Sequence, residues 1–437
     1  MSDLSPDVQG MIGIAALLAL VLLGVRVYIA AAAVGLIGLV SIIGWDAGAG
    51  MIGTIPHSKS VSYTLSVLPI FILIGFLAFY AGITQALFDA ARKWLGWVPG
   101  GLAVATVFAT AAFAAVSGAS TATAAVFARV AIPDMLKYGY SKSMAAGVVA
   151  AGGTLASLIP PSAILVIYAI IVEESVGKLL IAGFLPGIVS AIVYALLIIG
   201  MCYYKPSLGR PITGYTWPER FQSLPGATPV FLVVIIIFSA IYKGWATPTE
   251  AGALGAFVVF VMALMRGMSM QSLKQALLET SKMTVMIFSL IWGVLCFVRF
   301  LGFTGLPEHF SNWVVSLPYP PIVIMICILL AYAVLGMFMD AIGMLLLTLP
   351  VVYPAVMALG YDSIWFGIIV VKMAEICLIT PPIGLNCFVV SAVRPDIPTT
   401  TVFKGVAPFF VADVITVALF LVYPEIITWL PEQMANF

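Results

Sequence analysis

The chain has 437 residues, of which 63% are hydrophobic and only 8% are charged. A soluble domain has about 25% charged residues, so this chain has too few to cover a water-facing surface of its size. Its net charge of +1 provides no field that would attract nucleic acid. The composition predicts an integral membrane protein that contacts the lipid bilayer and has no nucleic-acid partner.

The N-terminal residues MSDLSPDVQG are acidic and lead directly into a long apolar run. A cleaved signal peptide starts with basic residues, so we interpret this run as the first membrane span.

Catalytic and metal-binding patterns do not occur in the sequence. The five cysteines lie in apolar runs without CxxC spacing, and we interpret them as buried small hydrophobic residues. His57 and His309 are expected in external loops, and there is no HExxH motif or P-loop. The chain is therefore not expected to be an enzyme or to hold a cofactor.

The two halves of the chain match each other at an offset of 220 or 221 residues. The matching positions include two Pro-Pro pairs and two Pro-x6-Tyr spacings, namely Pro160-Pro161 with Pro381-Pro382, and Pro133 and Tyr140 with Pro354 and Tyr361. Chance alignment of apolar segments readily gives matches of glycine and alanine. It does not readily give two Pro-Pro pairs and two Pro-x6-Tyr spacings at one offset. The sequence predicts two repeats, 1–205 and 225–437, joined by a cytoplasmic linker at 206–224.

Each repeat is divided by its helix breakers. The first is predicted to contain, in order, spans at 8–25, 28–44 and 62–83, an amphipathic stretch, a hairpin at 98–138, a broken span at 144–172 and a span at 179–203. The second contains spans at 227–243, 249–265 and 283–303, a hairpin at 319–358, a broken span at 363–393 and a last span at 402–423.

If each hairpin is re-entrant, each repeat crosses the membrane five times, so the second repeat is inserted upside down. Charge alone does not distinguish a re-entrant hairpin from a pair of full spans. The fold class is thus an all-α polytopic membrane protein with two inverted-topology repeats, each with five crossings (one of them broken) and a re-entrant helical hairpin.

The basic residues indicate the orientation of this arrangement, because Lys and Arg concentrate on the cytoplasmic side. One side of the predicted topology has only Lys59, Lys178 and Lys243. The other side has Arg26, Arg92, Lys93, Lys137, Lys142, Lys205, Arg210, Arg220, Arg266, Lys274, Lys282, Arg394 and Lys404. The richer side is predicted to be cytoplasmic, which places both termini outside.

Four symmetry-related breaks interrupt the apolar runs. They lie at Ser117–Thr121, Gly336–Asp340, Ile159–Ser162 and Thr380–Gly384. A single break is typical of a simple kink. Non-helical backbone at membrane depth is tolerated where it lines a cavity, and positive half-helix ends suit an anion while carbonyls and hydroxyls suit sodium. Inverted repeats with such breaks indicate a secondary transporter.

Ionisable residues within apolar spans are expensive and indicate function by default. Asp340 lies at the tip of the second hairpin. Lys372 and Glu375 are three residues apart and can form a buried ion pair, which is either functional or a neutralised structural couple. Asp413 lies within the last span, and the sequence assigns it no partner.

The stretches AVSGASTATAA, AGGTLASLIPPS, GMFMDAIGMLLLTLPVVYPAVMALGYDSIWFG and ITPPIGLN closely resemble the large membrane subunit of tripartite ATP-independent periplasmic (TRAP) transporters. The resemblance implies an elevator-type, sodium-coupled importer of small organic acids in the bacterial inner membrane. It also implies two partners, a periplasmic substrate-binding protein and a small four-span membrane subunit. Because the chain begins directly at its first span, the small subunit is expected to be a separate polypeptide.

The resemblance also implies site residues, with sodium as the only metal. The first sodium site would use Ser117, Gly118, Ser120, Thr121, Gly153 and Ser162. The second would use Gly336, Met339, Asp340, Thr380 and Gly384. Substrate would lie between the tips, near Ser120, Pro161, Pro382 and Asn386. The second tip has no hydroxyl at Met337–Met339, so its side-chain ligand would be Asp340.

Two other functions remain open at this stage. A stand-alone sodium/dicarboxylate carrier of similar hairpin architecture would need no binding protein. A pore-forming or assembly subunit would show neither sodium dependence nor accumulation against a gradient.

Overall fold

The computed structural model describes residues 5–434, apart from the side chain of Thr64. The outermost residues of the two predicted repeats, and with them the chain ends predicted to be periplasmic, lie outside this range. The described part is built from α-helices with short 3₁₀ turns, which confirms the prediction of an all-α membrane protein.

The described part of the first half, from residue 5 onward, contains eleven α-helices and two 3₁₀ turns, at Tyr63–Ser66 and Leu155–Ser157. The helices are α1 (Pro6–Leu22), α2 (Val27–Ile43), α3 (Trp45–Gly53), α4 (Ile55–Ser60), α5 (Val67–Tyr80), α6 (Ile83–Leu95), α7 (Gly101–Ser117), α8 (Ser120–Lys137), α9 (Lys142–Thr154), α10 (Ala163–Val172) and α11 (Val176–Tyr204).

The second half, as far as residue 434, contains ten helices. They are α12 (Trp217–Tyr242), α13 (Pro248–Met265), α14 (Met270–Thr304), α15 (Leu306–Ser316), α16 (Pro321–Gly336), α17 (Ala341–Ala358), α18 (Ser363–Cys377), α19 (Leu385–Val393), α20 (Thr399–Val422) and α21 (Glu425–Met434).

Six of the described helices are individually long and apolar enough to cross a membrane. The count rises to seven if α5 and α6, which meet at an angle of 70°, form one bent span. Shorter apolar helices, among them α1, α2, α7, α10 and α16, make up the remaining apolar segments. The chain is therefore polytopic.

Helix α12 begins earlier than the apolar pattern indicates. Its first residue is Trp217, inside the segment 206–224 that the sequence assigned to the linker. The reason is a capping box, in which the Thr216 amide donates to Glu219 Oε2 at 2.7 Å and fixes the first turn on polar residues. The irregular part of the linker thus ends at Thr216.

Two smaller sequence interpretations are corrected. His57 lies in α4 and His309 in α15, not in loops. Cys327 on α16 is exposed, not buried. A small apolar residue on a lipid-facing helix surface has the same hydropathy as one in the core, so sequence does not separate the two environments.

Helices α7 and α8 form the first hairpin and α16 and α17 form the second, while α9–α10 and α18–α19 are the two broken spans. In each broken span, the second helix packs against the hairpin from the other half of the chain. Helix α10 packs against α17 and α18, and α19 packs against α8 and α9. Each hairpin therefore touches helices from both halves, and neither half encloses its own hairpin alone.

Glycines permit the closest helix contacts. A Cβ atom on Gly147 of α9 would lie 2.3 Å from the carbonyl carbon of Gly405 on α20, and one on Gly405 would lie 2.0 Å from Ser143 O. Between α2 and α14, a Cβ on Gly293 would lie 2.1 Å from Tyr28 O. Backbones approach this closely only where small residues line the interface, as is typical of membrane helices.

Gly147→Ala is expected to destabilise the protein by about 1–3 kcal/mol, because the new methyl group meets backbone that has no space to yield. Gly302→Ala on α14 is the matched control, since a Cβ there has nothing within 4 Å. A helical glycine replaced by alanine without a clash gains about 0.5–1 kcal/mol. Thermal unfolding of the two purified variants should therefore shift in opposite directions, and equal shifts would contradict the packing.

Candidate functional site

The tip of the first hairpin contacts the first Pro-Pro break. Helix α7 ends at Ser117, and Gly118 follows with φ of +61°, a left-handed conformation that favours glycine. A Cβ on Gly118 would lie 2.2 Å from Pro161 O, and the Gly118 carbonyl accepts a hydrogen bond from Ala163 N at 3.4 Å. The structure thus brings the predicted residues Gly118 and Pro161 together.

Hydroxyl groups and carbonyl groups concentrate around this contact. Ser117 Oγ lies 2.9 Å from Thr123 Oγ1, which donates to Ala119 O at 2.9 Å. Ser162 caps α10 by accepting from Leu165 N at 3.3 Å, and its hydroxyl also donates to Ser157 O.

The other predicted residues of the first site lie on the helices beside the tip. Ser120 and Thr121 form the first turn of α8. Gly153 lies on α9, where a Cβ would be 2.8 Å from Ala124 Cβ. The ends of α7, α8, α9 and α10 therefore meet in one region.

The tip of the second hairpin packs against the end of α18. A Cβ on Gly336 would lie 1.6 Å from Cys377 Sγ, so only glycine fits there. Met339 is buried, and Asp340 caps α17 by accepting a hydrogen bond from Gly343 N at 3.1 Å. An aspartate at this position also places a negative charge at the positive end of the helix.

The second Pro-Pro break continues from the same helix end. Thr380 Oγ1 donates to Ile376 O at 2.6 Å, and Gly384 adopts φ of +46° close to Thr380 O. Both Pro-Pro peptide bonds, at Pro160-Pro161 and Pro381-Pro382, are cis. The predicted residues of the second site therefore lie at two adjoining breaks, with α17 and α19 starting from them.

The four predicted substrate residues differ in exposure. Pro382 is exposed, Ser120 is half-buried, and Pro161 is buried. Asn386 is fully buried, and its Nδ2 donates to Ala150 O on α9 at 3.1 Å. Its Oδ1 has no partner among the described residues, so this side chain keeps an unused acceptor between the two halves of the chain.

A cavity of about 310 Å³ opens beside the first tip. Ser117, Ala119 and Ala122 line it from the hairpin, and aromatic residues of α5 form the opposite wall. The cavity is also lined by Arg129, which lies further along α8, and by Glu279 of α14. Arg129 forms no ion pair with any residue in 5–434.

A second polar group lies inside the bundle, and we call it the charge cluster: Lys372, Glu375, Asp413 and Tyr194. Lys372 Nζ lies 2.7 Å from Glu375 Oε2 and 2.8 Å from Asp413 Oδ1. All four side chains are fully buried. The pairing of Lys372 with Glu375 is thus present, and Asp413, which the sequence left without a partner, completes it.

Sequence reasoning did not select Thr123 or Gly75. Thr123 is fully buried and bonded to Ser117, and a Cβ on Gly75 of α5 would lie 2.6 Å from Ser117 Cα. The run of hydroxyl residues SGASTAT contained a signal for Thr123. No local pattern pointed to Gly75, because its role depends on a contact 42 residues along the chain.

Comparison with known proteins finds a family model and relatives that all describe the same kind of protein, the large permease component of a TRAP transporter. The family model described as "Tripartite ATP-independent periplasmic transporter, DctM component" matches residues 13–426. The chain is 36% identical to the C4-dicarboxylate TRAP transporter large permease protein DctM of Pseudomonas aeruginosa, over 85% of each chain. It is 30% identical to the ectoine TRAP transporter large permease protein TeaC of Halomonas elongata, over 96% of this chain and 98% of that one.

The fold also resembles a solved transporter. The YdaH transporter of Alcanivorax borkumensis superimposes with a TM-score of 0.61 at 15% identity, over 87% of this chain and 89% of that chain. At this identity the likeness concerns the fold alone. The family match, which spans nearly the whole chain, identifies the protein as a member of the DctM family, the large membrane permease component of bacterial TRAP transporters and not an enzyme.

Proposed function

We propose that this chain is the permease subunit of a sodium-coupled importer that takes up a small organic acid delivered by a periplasmic binding protein. The observation that carries the proposal is the contact between hairpin tip and Pro-Pro break, formed around Gly118 and Pro161 and accompanied by a cavity of about 310 Å³. The relatives named for C4-dicarboxylate and ectoine support a carboxylate substrate. A separate four-span subunit would complete the membrane complex.

The proposed elevator consists of the two hairpins and the two broken spans, which move together against the remaining helices. The reciprocal packing of α10 on α17 and of α19 on α8 supports two inverted repeats at 1–205 and 225–437. It also supports movement as one body, because each hairpin is held by helices from both halves.

The proposed orientation places the basic side of the bundle in the cytoplasm and both termini in the periplasm. Several contacts each involve one basic residue that the charge pattern assigned to that side. Arg92 Nη1 lies 2.9 Å from Asp134 Oδ2, Lys142 Nζ donates to Asp396 O at 3.1 Å, and Tyr140 OH donates to Arg210 O at 3.0 Å. These contacts support the proposal that segments from both halves of the chain, including the linker, lie together on one face of the bundle.

Sodium is proposed to bind at both tips. The carbonyl ends of α7 and α9 converge at the first tip, and those of α16 and α18 converge at the second. Such ends carry partial negative charge and suit a cation, whereas the starting ends of α8, α10 and α19 suit the substrate carboxylate. Asp340 adds the carboxylate that the second tip needs in place of hydroxyl groups.

Arg129 is proposed to bind the substrate carboxylate on its way through the cavity. Small-molecule sites are mostly apolar with a few polar groups that fix orientation, and this cavity has that character. An arginine matches a carboxylate with two parallel hydrogen bonds.

Cross-linking the tagged chain in its native membrane, followed by mass spectrometry, tests the assembly. A small four-span protein and a periplasmic binding protein should be recovered with it. An unrelated tagged membrane protein, cross-linked in the same way, serves as the background control. If the purified chain alone drives sodium-dependent uptake into liposomes, the stand-alone carrier replaces this proposal. Leakage without accumulation would instead favour a pore-forming or assembly subunit.

Asp340→Asn should lower sodium-driven uptake by about tenfold or more, which corresponds to about 1.4 kcal/mol of lost ion binding. Asparagine caps a helix as well as aspartate does, so α17 should stay intact. Asp362→Asn is the matched control, because Asp362 caps α18 through Trp365 N at 2.7 Å and lies at neither tip. Uptake by the reconstituted complex over a series of sodium concentrations is the measurement, and an unchanged sodium dependence in Asp340→Asn removes its assigned role.

Arg129→Gln should raise the substrate concentration needed for half-maximal uptake by roughly tenfold or more, because a hydrogen bond to a charged group contributes about 1.5–3 kcal/mol. Arg129→Lys should be intermediate, since it keeps the charge without the paired geometry. Arg299→Gln, at an exposed arginine of α14, is the control. Equal kinetics in Arg129→Gln and Arg299→Gln would exclude Arg129 from the substrate path.

A further inference from the structure

The charge cluster contains one more negative group than positive groups. Lys372 supplies one positive charge, whereas Glu375 and Asp413 supply one negative charge each if both are ionised. All three side chains are fully buried, and an uncompensated charge in a low-dielectric interior is strongly unfavourable. The cluster therefore needs one additional positive charge to be neutral.

We propose that Glu375 binds a proton, so that the charge cluster is a neutral proton-binding site made of a Lys372–Asp413 ion pair and an uncharged Glu375. The proton comes from water as the chain folds, and it neutralises the excess charge without any other ligand.

Hydrogen bonding distinguishes the two carboxyl groups. Asp413 Oδ1 accepts from Lys372 Nζ at 2.8 Å and from the Tyr194 hydroxyl at 2.7 Å, so its ionised form is stabilised twice. Glu375 Oε2 accepts one such bond, from Lys372 at 2.7 Å. The Glu375 Oε1 atom is buried and has no partner among the described residues, which leaves it free to bear the proton.

A metal ion fits the cluster less well. Asp413 Oδ2 is likewise buried and unpartnered within 5–434, so the cluster offers two free oxygens. However, the Lys372 ammonium lies within 2.8 Å of both carboxyl groups and repels a second cation, whereas a proton bonds covalently to one oxygen.

Other titratable groups near α18 do not change this charge balance. Tyr332 of α16 accepts a hydrogen bond from Thr348, and Tyr168 of α10 donates to Ser363 O. Tyr353 of α17 donates to Ser363 Oγ. Glu425 and Glu432 of α21 are exposed. Within residues 5–434, the Glu375 side chain bonds to Lys372, which also bonds to Asp413, and Tyr194 bonds to Asp413.

Infrared spectroscopy of the full chain in lipid nanodiscs tests the proton directly. The spectrum of the unaltered protein should contain the carbonyl band of an un-ionised carboxyl group that shifts in heavy water. Glu375→Gln should abolish this band and leave sodium-driven uptake and thermal stability nearly unchanged, because glutamine resembles the protonated side chain. Asp413→Asn should also abolish it, because Glu375 then ionises to pair with Lys372.

The double variant Glu375→Gln/Asp413→Asn separates this proposal from a purely packing role. It leaves Lys372 without a counter-charge, so the amount of folded protein should fall by about tenfold or more beyond the product of the two single effects. The proposal is overturned if the unaltered protein lacks the band, if Glu375→Gln destabilises as strongly as the double variant, or if sodium removes the band.

Discussion

Backbone groups at an interrupted helix have no water to bond inside a bilayer, and this constraint shapes the centre of the protein. Each break therefore needs partners of its own. The Gly118 carbonyl accepts from Ala163 N, Asp340 accepts from Gly343 N, and the backbone N–H of Asn386 donates to Leu378 O. The first bond joins the first hairpin tip to the first Pro-Pro break, so these two must lie together. The other two bonds are local and satisfy the second tip and the second Pro-Pro break from within.

The same requirement explains where the glycines are indispensable. At Gly118 the chain turns through a left-handed conformation directly against Pro161 O, and at Gly336 the tip lies against Cys377 Sγ. A side chain at either position would separate the hairpin from its break. In the proposed transporter this separation would abolish the ion site, since the site consists of the helix ends that these contacts hold in place.

Charges follow a second constraint, because a membrane interior tolerates them only in neutral groups. Outside the core of the bundle, Arg92 bonds to Asp134 of α8, and Lys142 donates to the Asp396 carbonyl in the loop that precedes α20. Inside the bundle, α18 and α20 share Lys372 between two carboxyl groups. The proton that we assign to Glu375 follows from this same requirement for neutrality.

The sequence alone determined the membrane class, the family resemblance and the four helix breaks, because composition, glycines and prolines act locally on the backbone. The breaks between α7 and α8 and between α16 and α17 lie at the residues that the pattern indicated. The partner of Asp413, the contact of Gly75 with Ser117 and the cavity beside Arg129 required the tertiary structure. Each joins residues on separate helices, and a pattern along one chain carries no information on which helix faces meet.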